Sequence, residues 1–209
     1  PTQAWIAGKS DEPSTSVNLQ VSFVGGRGID ADHAKRLVLE EVLSEKLFDL
    51  RARTALSYVT EASYMPRRAG GVWSLTAVVD RARAAEAGTE LVRLLDQLRS
   101  APETYRVAFV IARQKVLEGM LATSGSSLQA LNRLVETARF DVADDRHDRL
   151  VAEIAALTLP TFHTFVAHEL ARTGQVFSAY GNSEAVSAAL DAARQADQAP
   201  VVGANERAR

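Results

Sequence analysis

The sequence predicts an α+β protein, in which an antiparallel-containing sheet of about four or more strands is covered by helices, with a helical block in the second half. Apolar and polar residues alternate in segments before residue 80, which is the period of half-buried strands. From Arg81 onward, apolar residues mostly recur at helical spacing. Two of the strands are too close in sequence for a crossover connection, so they are expected to pair in an antiparallel way.

The first part of the chain predicts a strand, a helix and a hairpin. Residues 1–16 are polar and turn-rich, which is typical of a linker or an edge strand near Trp5. The alternation over 17–24 predicts a strand, and a helix follows that is capped by Asp30 or Asp32 and ends near Arg53. Its expected apolar stripe consists of Ala34, Leu37, Val38, Val42, Leu47 and Phe48. Segments 58–65 and 72–79 then predict a hairpin, with the solvated turn residues Arg67 and Arg68 at its tip.

The remainder predicts mostly helices. A capping-box spacing from Ser100 to Glu103 is expected to introduce the second of them. A last strand over 175–180 leads into a final helix over 183–195. Residues 17–195 are therefore expected to form a single domain, followed by a disordered tail over 196–209. The helices of the block are predicted at 81–99, 102–122, 126–139, 144–157 and 160–172.

Composition excludes several functional classes. The 209 residues are 46% hydrophobic and 24% charged, as expected for a globular chain able to bury a core. A net charge of -2 argues against nucleic-acid binding, which needs a basic surface. The absence of cysteine removes thiol nucleophiles and cysteine-ligated zinc. No apolar run is long enough for a membrane span. The chain begins at Pro1, so cytoplasmic and periplasmic locations both stay open.

A glycine pattern between the first strand and helix raises the possibility of a nucleotide site. Gly26, Gly28 and Ala31 match the G-x-G-x-x-A spacing of dinucleotide-binding turns. However, Asp30 and Asp32 place negative charge where a pyrophosphate would lie, and the following helix leads into a hairpin. We therefore expect a plain glycine turn, with nucleotide binding as a weaker alternative.

Metal and nucleophile signals are also weak. His168 and Glu169 begin like H-E-x-x-H, but Arg172 stands where the second ligand belongs, so His33, His147, His163 and His168 are interpreted as surface or interfacial residues. The acidic run from Asp144 to Asp148 is expected to open a helix, where carboxylates are favoured. Residues 124–127 lack the strand-to-helix elbow of a hydrolase serine and are interpreted as an interhelical loop.

Arg51 and Tyr58 are the candidate binding residues. A guanidinium and a phenol can donate hydrogen bonds to a peptide backbone or to a developing oxyanion, but they cannot activate water. Taken alone, the pair equally fits an exposed arginine at a helix end and an aromatic residue in a sheet.

The segment from Leu50 to Tyr64 resembles the pitrilysin (insulinase) metallopeptidase family, whose non-zinc C-terminal lobe carries the pattern L-R-E-K-x-G-L-x-Y-x-x-x-A. Arg51 and Tyr58 match that pattern, whereas Ala52 and Ala55 replace its Glu and Gly. Residues 174–182 are similar to the closing strand and V-G-D turn of the same domain, with Asn182 in place of Asp. The order of elements agrees over nearly all of residues 17–195.

The resemblance implies a substrate-binding, non-zinc lobe of a zinc endopeptidase. Arg51 and Tyr58 would bind peptide in a chamber shared with a second lobe or a paired subunit, and Tyr58 would support the scissile carbonyl. Zinc and the H-x-x-E-H residues would belong to that partner, so this chain alone is expected to bind no cofactor and to be inactive. The alternative is a non-catalytic scaffold or assembly subunit with the same fold, to which Ala52 and Ala55 point.

Overall fold

The computed structural model describes residues 3–10, 14–55, 57–122, 126–143 and 145–199. Their backbone forms five strands and seven α-helices, with two 3₁₀ turns at Arg81–Arg83 and Pro102–Tyr105. The strands are β1 (Ala4–Ser10), β2 (Ser16–Gly25), β3 (Ser57–Met65), β4 (Gly71–Asp80) and β5 (Val176–Asn182). The helices are α1 (His33–Thr54), α2 (Ala84–Ser100), α3 (Arg106–Ala122), α4 (Ser127–Phe140), α5 (Arg146–Ala156), α6 (Leu159–Glu169) and α7 (Ser183–Gln198).

The strands form one sheet in the order β1-β5-β2-β4-β3. The predicted hairpin is confirmed, because β3 and β4 pair in an antiparallel way, and β4 pairs antiparallel with β2. The predicted edge strand near Trp5 is β1, which runs parallel to β5. The α+β fold class is thus confirmed, and the domain limits at residues 17 and 195 stay predictions.

Helices cover one face of this sheet. Val17, Leu19 and Val21 of β2 and the alternate residues of β4 from Trp73 to Val79 are buried in one core with α1, α2 and α7. Their neighbours on the opposite face, such as Gln20 and Ser74, are only half-buried. We call this opposite side the open face of the sheet.

Helix α1 departs in part from the predicted stripe. Phe48 is 57% exposed, and the buried side instead includes Leu39, Leu43 and Leu50. Asp32 occupies the N-cap position without a side-chain capping bond, because its carboxylate pairs with Lys35. The helix ends at Ala55, which adopts a left-handed φ of 48°.

Two other predicted boundaries change. The Ser100 hydroxyl donates to the Asp96 carbonyl at 2.7 Å and closes α2, so it does not cap the following helix. Pro102 instead opens a 3₁₀ turn, where its missing N–H costs nothing. The final helix runs to Gln198, three residues beyond the predicted end, while tail residues 200–209 lie outside the described residues.

The acidic run opens a helix as predicted. Asp145 is the N-cap residue of α5 and pairs with Arg149, and Asp144 lies outside the described residues. In the predicted interhelical loop, Ser126 is the N-cap residue of α4, whereas residues 124 and 125 are not described. Among the described residues no single helix is long and apolar enough to cross a membrane, and only α5 and α6 together, bent by 108°, have that length and composition.

Candidate functional site

Arg51 and Tyr58 lie at one corner of the domain, where α1 ends and β3 begins. Arg51 is in the last turn of α1 and is exposed. Tyr58 is 58% exposed and occupies a β-bulge, since β3 shifts register against β4 between Ser57 and Val59. The bulge changes the direction of the Tyr58 side chain relative to a regular strand. Leu56, which lies between Arg51 and Tyr58 in the sequence, is outside the described residues.

The hydroxyl of Tyr58 is already hydrogen-bonded. It donates to Asp80 Oδ2 at 3.2 Å, and this bond, followed by the carboxylate's charge, raises the pKa of Tyr58 above its ordinary value. The phenol therefore stays protonated and remains a donor. Sequence reasoning missed Asp80, because a carboxylate that ends a strand carries no distinctive signal.

Asp80 is itself held in place by the backbone. Its Oδ1 accepts from the Ala82 amide at 2.7 Å and caps the first 3₁₀ turn. From the same turn, Arg83 donates to the Thr54 carbonyl at 2.7 Å, which ties the turn to the end of α1. The corner thus combines the ends of α1 and β4 with the start of β3.

This corner places the donors of Arg51 and Tyr58 near the Asp80 carboxylate. Within the described residues, the Arg51 guanidinium has no hydrogen-bond or ion-pair partner, so its donors face solvent. A guanidinium and a phenol are each able to donate to a carbonyl or a carboxylate. No group of three or more histidines and carboxylates is placed to hold a metal ion in the part of the chain that the structure describes.

The open face next to this corner is polar at its centre. The Gln20 amide donates to the hydroxyls of Ser22 and Ser74 at 3.1 and 2.8 Å, and Ser63 lies opposite Ser74 in the register. At the hairpin end, Val24, Val72 and Met65 are paired side by side and exposed. Such a surface can accept an extended peptide through both hydrogen bonds and apolar contacts.

The edge of the sheet along β3 is partly closed. Glu40 of α1 accepts a hydrogen bond from the Tyr64 amide at 3.2 Å, which satisfies a backbone donor on the outer side of the strand. Burial raises the pKa of Glu40 above its ordinary value, although the hydrogen bond from Tyr64 opposes this effect. A peptide could therefore not extend the sheet at Tyr64 without displacing Glu40.

The glycine turn between β2 and α1 is filled by the protein's own groups. The Gly26 amide donates to Glu169 Oε1 at 3.2 Å, and the Gly28 amide donates to the Arg67 carbonyl at 2.9 Å. The Asp30 carboxylate accepts from Arg36 at 2.6 Å in the same place. Both amides are thus occupied, so the geometry favours the plain turn over a pyrophosphate site.

Glu169 and Arg36 form a buried ion pair at 2.7 Å beneath this turn. Glu169 Oε1 also accepts from Trp73 Nε1 at 3.1 Å, and the Arg36 guanidinium lies 5.4 Å from the centre of the Tyr64 ring. Asp30 and Glu169 together raise the pKa of Arg36 further above its ordinary value despite the opposing effect of burial. The cluster joins α1, α6 and the hairpin and has a structural role.

Among the histidines interpreted as surface or interfacial, His33 is half-buried. Its Nδ1 is buried and has no hydrogen-bond partner among the described residues, and the residue lines a cavity of about 60 Å³ with Glu136, Arg146 and His147. Burial, followed by the charges of Arg146 and Arg36, lowers the pKa of His33 to about 4. The imidazole is therefore neutral near pH 7. His163 Nδ1 forms a hydrogen bond of 2.7 Å with the Tyr105 hydroxyl. His168 is exposed.

The chain has the fold of M16, or pitrilysin-like, peptidase domains, as the resemblance implied. A peptidase M16 inactive domain from Pseudomonas fluorescens superposes with a TM-score of 0.77 at 13% identity, over 88% of this chain and 44% of that one. A protease from Helicobacter pylori gives 0.72 at 13% identity, over 85% and 43%. A chain of complex III from Candida albicans gives 0.68 at 9% identity, over 92% and 49%.

This likeness is one of fold. The chain spans less than half the length of each of these solved chains. Neither the sequence profiles of known protein families nor the curated proteins match this sequence.

Proposed function

We propose that this chain is the substrate-binding, non-zinc lobe of a pitrilysin-like zinc endopeptidase. The observation that carries the proposal is the position of Arg51 and Tyr58, exposed at a corner of an M16 inactive-domain fold beside the uncovered face of its sheet. Zinc, the activated water and the general base would come from the H-x-x-E-H residues of another lobe or subunit.

In this proposal Arg51 binds a backbone carbonyl or terminal carboxylate of the peptide. Tyr58 donates to the scissile carbonyl, where negative charge develops in the transition state. A phenol has one donor, so the carbonyl must replace Asp80 as its acceptor. The bond to Asp80 is long and exposed, which makes this exchange inexpensive.

The test combines this chain with the zinc-bearing lobe and compares wild type with Tyr58→Phe. We expect kcat/KM to fall about a hundredfold, since that is a typical cost of losing one oxyanion donor. Tyr180→Phe is the matched control, because Tyr180 is also exposed, at 61%, and belongs to the same sheet. Unchanged turnover in Tyr58→Phe would rule out the oxyanion role.

The chain without the zinc-bearing lobe tests the assignment of the metal to that lobe. Purified alone, the chain should contain no stoichiometric zinc and cleave no peptide. One tightly bound zinc per chain by metal analysis would contradict the proposal.

The alternative function is a non-catalytic scaffold or assembly subunit. One observation favours it: the Asp80 carboxylate beside Tyr58 places negative charge where an oxyanion would form. The likeness to a chain of complex III agrees with a role in assembly. Asp80→Asn separates the two functions: in a peptidase, removing that charge should increase the turnover of the combined lobes, whereas an assembly subunit would have no turnover for the substitution to change. An H-x-x-E-H lobe encoded beside this segment would favour the peptidase.

A further inference from the structure

Helix α4 has its apolar side turned away from the rest of the protein. Leu128, Leu131, Leu134 and Val135 are between 54% and 67% exposed, and they recur at the spacing of one helix face. No α4 side chain that the structure describes is buried. We call these four residues the outward face of α4.

The opposite side of α4 contacts the body of the domain. Successive residues of an α-helix are about 100° apart, so Phe140, nine positions after Leu131, points in about the opposite direction. Phe140 packs on Gly28, where an added Cβ would lie 2.5 Å from its ring. Glu136 and Thr137 line the cavity beside His33. The helix is thus inverted, with polar residues and one aromatic inward and leucines outward.

Such a helix has little to stabilise it in isolation. Its 14 residues are near the length at which a helix in water is marginal, and its leucines contribute no burial here. An exposed apolar stripe of this kind marks a surface that another apolar surface covers.

The composition and size of the outward face of α4 discriminate among a membrane, a second copy of the chain and a larger protein partner. Helices that lie on membranes carry several lysines or arginines, whereas the α4 sequence contains two arginines and one glutamate. Two copies packed through α4 alone would bury little more than the outward face of one helix on each copy, which is far below the roughly 800 Å² per partner of a stable interface. A larger partner with an apolar groove could cover the outward face of the helix and also contact the domain surface beside it.

We propose that the outward face of α4 docks into an apolar, helix-lined groove on the zinc-bearing lobe. This inference rests on the proposed function, which requires such a lobe. It is supported by the solved chains of this fold, which are more than twice as long as the part that this chain matches and so contain a further domain's worth of protein.

The experiment measures binding of the full chain to the zinc-bearing lobe by titration calorimetry. The double variant Leu131→Gln/Leu134→Gln should raise the dissociation constant about tenfold or more, since apolar anchors at the centre of an interface carry most of the affinity. Val107→Gln with Val110→Gln on α3 is the control, because these valines are 71% and 51% exposed and undergo a similar change from an apolar to a polar side chain. Circular dichroism checks that all variants fold.

Hydrogen exchange supplies a second readout, in which amides of residues 127–140 should be protected when the lobe is added. Equal affinities for both double variants, or no added protection, would overturn the docking. So would self-association of the chain that the α4 variant abolishes, or α4-dependent sedimentation with zwitterionic or anionic phospholipid vesicles. A lobe that binds through α4 without Tyr58-dependent cleavage would defeat only the proposed function, whereas Tyr58-dependent cleavage unaffected by the α4 variant would defeat only the docking.

Discussion

Tyr58 and Asp80 form a hydrogen-bonded pair that joins the start of β3 to the end of β4 at 3.2 Å. The carboxylate holds the phenol in its protonated form through the bond and through its charge. Because Asp80 Oδ1 is bound to the Ala82 amide, the acceptor is fixed and the tyrosine is the more mobile partner. The pair therefore sets both the direction and the protonation state of the proposed donor.

Replacing Asp80 with Asn should lower the pKa of Tyr58 toward its ordinary value. The substitution removes the negative charge and keeps an oxygen that can still accept from the Ala82 amide. The measurement is a near-ultraviolet absorbance titration of the tyrosines, in which one of the four should ionise at lower pH than before. In a Tyr58→Phe background, Asp80→Asn should leave the remaining titration curve unchanged, and a shift there would assign the effect to another tyrosine.

Sequence patterns predicted most of the elements but not how they meet. Alternation over 17–24 and 72–79 assigned each residue to a face of the sheet, and Val17 and Trp73 are indeed buried. Alternation carries no information about which strands are neighbours, so the parallel pairing of β1 with β5 was not foreseen. Phe48 follows the helical period but lies at the margin of the buried side of α1. At such a position the pattern does not show whether another element covers the side chain or water does.

The candidate site was predictable only in part. Arg51 and Tyr58 were found through a resemblance, because their residue types at a helix end and in a strand are otherwise ordinary. Asp80 and Glu169 act through partners that are distant in sequence, since Tyr58 lies 22 residues before Asp80 and Arg36 lies 133 residues before Glu169. Charges that are buried by tertiary contacts leave no local signal.

Glu169→Ala should destabilise the protein by about 3 kcal/mol. Among the described residues, the change leaves the buried Arg36 guanidinium with Asp30 as its remaining ionic partner, and it removes the acceptor of Trp73 Nε1 and of the Gly26 amide. Urea unfolding followed by tryptophan fluorescence measures this loss. Glu103→Ala removes an exposed ion pair with Arg106 and should have a much smaller effect, since water screens such pairs. Similar losses in the two variants would show that the buried pair has no special weight.

Acidification should destabilise the protein through His33. Its pKa is about 4 in the folded state and about 6.5 in the unfolded chain, so between these values only the unfolded state binds the proton. The free energy of unfolding should therefore decrease as the pH falls from 6.5 to 4, by at most about 3 kcal/mol. Chemical denaturation across this range measures the slope.

The His33 contribution can be isolated by two matched variants. His33→Gln carries no titrating group and should flatten the pH dependence in that window. His168→Gln, which replaces an exposed histidine on α6, should retain it. Identical slopes in His33→Gln and wild type would mean that other groups cause the acid sensitivity.

Gly26→Ala should destabilise the protein because the turn has no space for a side chain. A Cβ at this position would lie 1.9 Å from Arg36 Nη2, so the guanidinium would have to leave its geometry with Asp30 and Glu169. Forced repacking of this kind costs about 1–3 kcal/mol, which thermal or urea unfolding resolves.

Gly119→Ala is the contrasting control, since a Cβ on that residue of α3 has nothing within 4 Å. Alanine is favoured over glycine inside a helix by about 0.5–1 kcal/mol, so this variant should be more stable than wild type. If both substitutions stabilise the protein, the turn is looser than described, and the glycine at position 26 is not required by its contact with Arg36.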